Sequence, residues 1–160
     1  MVKINDFRQK GSIKDLLRSE KEDYFEYLQF TYKDNLNASE FNLIKFPRWS
    51  IISGYYAMHD LAKLFLGKKF ELKLSSPNVH AATIQALREL VKRKDIIKYM
   101  EEAESYFELH RSLIKGREER EKTQYYSLNK ANINIQRATY FFENIVLPFV
   151  KILEGMIDDI

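Results

Sequence analysis

The chain has 160 residues, 31% of them charged, and a net charge of only +3. That length suits one domain with one real core, and the interspersed charges leave only a local patch to attract a polyanion. Cysteine is absent, which excludes disulfides and thiolate metal sites.

The opening "MVKINDFRQK" lacks an apolar h-region, so it does not read as a secretory signal. No apolar run approaches the roughly 18 to 20 residues of a membrane span. The expectation is a soluble cytoplasmic protein without membrane contact. Glycine and proline are scarce, and apolar residues recur at intervals of three and four, which predicts a helical protein.

The first helix is expected from Ser12 as cap, with Asp15 in its first turn. Ile13, Leu17, Tyr24, Leu28 and Thr31 would line its buried face, and "KDNLNASE" would end it. A second helix opens near Pro47 or Arg48. It carries the stripe Ile51, Tyr55, Met58, Ala62, Phe65, and Gly67 is its natural stop. The stretch "KKFELKLSSPN" reads as a loop. Ser76 or Asn78 then caps a third helix bearing Val79, Thr83, Ala86 and Leu90. Asp95 caps a fourth, whose face runs Ile96, Met100, Ala103, Phe107, His110, Ile114.

A polar stretch beginning at Gly116 precedes the last helix, which has the most regular stripe: Ile135, Ala138, Phe142, Ile145, Phe149, Ile152, Met156. Pro148 inside it predicts a kink, or a break after Leu147. The expected fold is therefore all-α: one antiparallel, up-down bundle of about five helices with a core over residues 12–157.

Periodicity names no reaction. The segment 53–87, with Tyr55-Tyr56-Ala57-Met58, the turn "FLGKKFELK" and His80 opening the next helix, resembles the HEPN domain (higher eukaryotes and prokaryotes nucleotide-binding). Downstream, "REKTQYYS" resembles that family's second motif, an arginine followed about five residues later by histidine. Arg120 matches the arginine. Gln124 and Tyr125 stand where one branch of small prokaryotic members has Asp-Tyr.

The resemblance implies a compact α-bundle, often a homodimer whose motif loops face each other, with no cofactor. It implies a nucleotide or single-stranded RNA as ligand, and pairing with a minimal nucleotidyltransferase in a toxin–antitoxin-like arrangement. Members that keep the histidine cleave RNA without metal. The 2′-hydroxyl attacks the neighbouring phosphodiester, arginine stabilises charge, and histidine moves protons.

The residues can be weighed on their own chemistry. Arg120 is either a phosphate ligand, for which its planar fork suits it, or a solvated arginine among Glu118, Glu119 and Glu121. Tyr125 is a poor base, since tyrosine titrates near 10. It would protonate a leaving oxygen, orient a phosphate, stack on a base, or simply pack. His110 is a core residue, or else it opens toward the Arg120 loop as an alternative proton carrier. His59, beside Asp60 and Lys63, reads as a surface pair, and His80 as a capping or surface residue with an anion-contact alternative.

Arg111, Lys115, Arg117, Arg120 and Lys122 oppose three glutamates, a local excess of +2. That suffices for a nucleotide or a few phosphates. The candidate phosphate-binding set is Arg111, Arg117, Arg120, Lys122 and Gln124. The candidate catalytic set is Arg120 with Tyr125 or His110, and no metal site is expected.

Three functions stay open. The first is a HEPN-type nucleotide- or RNA-binding protein beside a nucleotidyltransferase. The second is a metal-independent endoribonuclease toxin, and the third a non-catalytic dimeric scaffold.

Overall fold

The computed structural model describes the backbone of residues 1–115 and 128–160, and the side chains of residues 1–109 and 134–160. The described chain is mostly helical. Its elements run α1 (Ile4–Gln9), β1 (Ile13–Asp15), a 3₁₀ turn (Arg18–Glu20), α2 (Lys21–Phe41), α3 (Pro47–Phe70), β2 (Leu72–Leu74), α4 (Val79–Ala86) and a π-helical turn (Leu87–Val91). They continue with α5 (Lys94–Lys115), α6 (Leu128–Phe141), a second π-helical turn (Phe142–Val146) and α7 (Leu147–Asp158).

The expected second helix is the centre of the molecule. Pro47 sits in the first turn of α3, where its missing N–H costs nothing. Every residue of its predicted stripe is buried, and so are Ala57, Leu61, Leu64 and Leu66 on its other faces. A helix apolar on all sides belongs inside a core. Accordingly α3 packs against α2, α4, α5, α6, α7 and β2.

Gly67 does not terminate this helix, which runs on to Phe70 and ends with Glu71 in the left-handed conformation at φ 54°. The glycine instead serves close approach: a Cβ there would lie 2.9 Å from the Phe25 ring and 3.3 Å from the Leu72 carbonyl oxygen. Gly54 does the same on the opposite side, against Ser39, Phe141 and Val146.

The N-terminal expectation fails in an informative way. Residues 13–15, expected in the first helix, form a strand that pairs antiparallel with β2, Ile13 opposite Leu74 and Asp15 opposite Leu72. β2 lies in the stretch expected to be loop, where Leu72 and Leu74 point inward around Lys73. The alternation covers three residues, too short to stand out against a helical background. Leu17, expected on the buried face, is exposed, and Ser12 is buried, its hydroxyl donating to the Pro77 carbonyl. Thus the ribbon fixes the segment 75–78 that leads into α4. The helix expected to stop in "KDNLNASE" continues through it to Phe41.

At the C-terminal end, the break expected at Pro148 is absorbed by the π-helical turn Phe142–Val146, and α7 starts afresh with Pro148 in its first turn. A wider turn there relieves the clash a proline makes with the preceding turn. Ala138, Phe142, Ile145 and Phe149 all stay buried across it. No helix among the described residues is long and apolar enough to cross a membrane.

The tight contact at Gly54 gives a stability test. Gly54→Ala forces Cβ to within 3.0 Å of Phe141 and Val146 and should destabilise by about 1–3 kcal/mol in urea unfolding. Gly155→Ala, which meets nothing within 4 Å, should instead stabilise by about 0.5–1 kcal/mol. Equal effects of the two would contradict the packing at Gly54.

Candidate functional site

Four ionisable or aromatic side chains from three helices converge beside α3. Tyr55 and His59 are one turn apart, so both project from the same face of α3. His80 is the second residue of α4, held there by the β ribbon and by Asn78, which precedes the helix at φ 58°. Phe107 comes from α5.

The Tyr55 ring stacks on Phe107 at 4.1 Å with an interplanar angle of 10°. Its hydroxyl lies 3.0 Å from His80 Nδ1, within hydrogen-bond distance. The His80 ring stacks on His59 at 4.3 Å and 25°. Tyr56 meets both His80 and Phe107 edge-on, at 5.6 and 5.9 Å. Stacked imidazoles present faces rather than nitrogens to each other, so the two histidines are not set as paired metal ligands. No group of three His, Asp or Glu among the described residues is placed to hold a metal ion.

The cluster opens into a cleft of about 310 Å³, lined by Tyr55, Asn78, His80, Phe107 and two carboxylates, Glu104 and Glu108. Burial, then the neighbouring Glu108, push the Glu104 carboxyl above its usual range, against the opposing pull of Arg88. The cleft therefore offers one aromatic wall, one imidazole and an acceptor-rich edge. Such an edge accepts hydrogen bonds from hydroxyl or amino groups and repels phosphate at the same spot.

His59 is the surprise. Expected as a surface residue, it is 1% exposed, because the interval of four that carries Ile51 and Tyr55 continues to it. That interval was the available signal. Neither ring nitrogen has a hydrogen-bond partner among the described residues. Burial, then the positive ends of His80 and Lys63, hold its pKa well below the ordinary histidine value. Lys63 itself pairs with Asp60 at 2.7 Å, and Asn35 donates to the same carboxylate at 3.3 Å.

A second cleft, of about 290 Å³, lies between α2, α3 and α7. There Tyr32 donates to Glu154 at 2.9 Å, and burial together with that bond pushes the phenol up. Its lining mixes Lys33 and Lys68 with Glu154 and Asp158 and has no imidazole.

Of the residues the sequence nominated, Arg117, Arg120, Lys122, Gln124 and Tyr125 lie outside the described residues. His110 and Arg111 fall on the α5 backbone, but their side chains also lie outside the described residues. Tyr55, Tyr56 and His80, which carried the first part of the family resemblance, do come together. Comparison of the chain with protein-family models, with curated proteins and with solved structures finds no match.

The buried imidazole makes stability depend on pH. When unfolded, His59 protonates near the ordinary value of about 6.5, whereas the folded chain keeps it neutral. Its contribution is therefore fully present above that pH and is lost as pH falls, at up to about 1.4 kcal/mol per pH unit. His59→Phe keeps the ring stack and removes the proton site. Its unfolding free energy should fall less steeply than that of the unsubstituted protein between about pH 6.5 and 5. Identical slopes would show that His59 is not buried in its neutral form.

Proposed function

We propose that the protein is a HEPN-like helical bundle that binds a nucleotide or short single-stranded RNA and acts beside a minimal nucleotidyltransferase, as a homodimer. The observation that carries this reading is the contact between Tyr55 and His80. Two segments that the sequence links to a nucleotide-binding family only by resemblance meet there, at the wall of an aromatic cleft. The ribose and base take the cleft, where Glu104 and Glu108 accept from hydroxyl and amino groups and Phe107 and Tyr55 supply apolar surface. The phosphates lie away from those carboxylates, and Arg120, the arginine of the resembled second motif, is the proposed phosphate contact.

The endoribonuclease reading has one observation in its favour. His80 is a half-buried imidazole at the cleft, hydrogen-bonded to a tyrosine hydroxyl, which is the proton-moving group that Tyr125 supplies poorly. In that reaction His80 would take the 2′-hydroxyl proton as the 2′-oxygen bonds to phosphorus, and the P–O5′ bond would break with a solvent proton going to the 5′-oxygen, leaving a 2′,3′-cyclic phosphate. Arg120 would stabilise the charged phosphorane.

Titration calorimetry with ATP, GTP and a short single-stranded RNA tests the binding reading. At least one should bind, and Arg120→Ala should weaken it roughly tenfold or more, the cost of losing a charge-assisted hydrogen bond. Absence of heat with all three would leave the scaffold reading in its place. RNA cleavage in EDTA that disappears in His80→Gln but survives in His59→Phe would establish the nuclease. Intact RNA at high protein excess would remove it.

A further inference from the structure

The start of α3 carries an aromatic ridge that the core does not use. Phe46, at the helix cap, and Trp49, one turn on, are each 54% exposed, and Tyr56 is 38% exposed. Trp49 and Tyr56 are seven residues apart, two turns of one helix face, or about 10 Å along the axis. The ridge ends where Tyr56 meets His80 and Phe107, at the wall of the cleft.

Its charge is one-signed. From Phe41 to His59 the sequence contains Lys45 and Arg48 and no aspartate or glutamate, in a chain whose charges are otherwise nearly balanced. The Arg48 guanidinium lies over the Trp49 ring at 5.7 Å. Neither Lys45 nor Arg48 forms an ion pair among the described residues, and Arg48 Nε has no hydrogen-bond partner there.

We infer that this ridge is a track for single-stranded RNA, on which bases stack against Phe46, Trp49 and Tyr56 while Lys45 and Arg48 hold the phosphates, leading one nucleotide into the cleft. The inference rests on the nucleotide reading of that cleft and adds the surface along which the rest of a strand would run. Aromatic rings spaced along a basic, acid-poor face are what sequence-tolerant strand binding needs, because every base has a π-face. A lipid surface would match the aromatic and basic residues equally. It would not suit a ridge that ends on an imidazole and two carboxylates, which lose their hydration on insertion.

Trp49 is the only tryptophan, so its emission reports on the ridge directly. The test titrates the full chain with a labelled oligouridylate about ten nucleotides long, a length within known strand-site sizes. Label anisotropy and tryptophan emission are followed together, and uridine monophosphate and phosphatidylglycerol vesicles are titrated separately.

The expected result is quenching of Trp49 that saturates with the anisotropy. Trp49→Ala and Phe46→Ala should each weaken strand binding by roughly 5- to 150-fold and leave monophosphate binding unchanged. Replacing both Lys45 and Arg48 by Gln should lower the salt slope by about 1.4. Strand binding with unchanged Trp49 emission, insensitive to Trp49→Ala, would overturn the ridge and leave the cleft reading intact. Quenching by the strand without any monophosphate binding would keep the ridge and sink the cleft. A blue shift with vesicles and none with RNA would overturn the ridge as a nucleic-acid surface. So would concentration-dependent self-association that buries Trp49 and blocks the strand.

Discussion

Burial of α3 on nearly every side is the constraint from which the rest of the structure follows. A helix so placed gains about 1.5–3 kcal/mol for each large apolar side chain it hides, but every polar group it carries inward must find a partner. Most do. The Ser50 carbonyl accepts from Ser39, Asp60 is held by Lys63 and Asn35, and the Tyr55 hydroxyl meets His80. His59 has no hydrogen-bond partner at either ring nitrogen among the described residues. An unsatisfied buried polar group costs about 1–3 kcal/mol, and its charged form would cost far more. The protein answers by keeping this imidazole neutral and stacking it on its neighbour.

The same constraint places the site. Because α3 is central, α4 and α5 both reach its face at Tyr55, through His80 and Phe107. The two-stranded ribbon, small as it is, decides how α4 arrives there: Ser12 and the Ile13–Leu74 pairing anchor the chain just before Asn78 and His80. The acidic edge contributed by α5 separates the functions of the surface. Neutral, hydrogen-bond-donating groups suit the cleft itself, and anionic groups suit the acid-free start of α3 or the arginines that follow α5 in the sequence.

The long helices were legible because their stripes are regular. Ile51 to Phe65 and Ile135 to Phe149 could be read from spacing alone, with Pro47 marking the start of α3. What escaped were features set by tertiary contact. Three residues around Ile13 pair with Leu72–Leu74 because a distant strand is there to meet them, and no local pattern announces it. Gly67 resembled a helix stop but exists to let Phe25 and β2 approach. Tyr55 and His80 were visible as parts of a family resemblance, yet their mutual contact needed the fold. His59 looks like a surface residue because Asp60 and Lys63 beside it are charged, yet Tyr55 one turn earlier carries the buried stripe on to it. The exposed aromatic start of α3 leaves no mark on the periodicity, which registers only buried faces.

The central claim is that the cleft bounded by Tyr55, His80 and Phe107 receives the ligand. The chain has three histidines, so ring proton–nitrogen spectra of the uniformly labelled protein resolve them one by one. On titration with a nucleotide or short RNA that binds, the His80 ring signals should shift and saturate at the stoichiometry of binding, with smaller changes at the stacked His59. A bound ligand that leaves His80 unmoved would contradict the account.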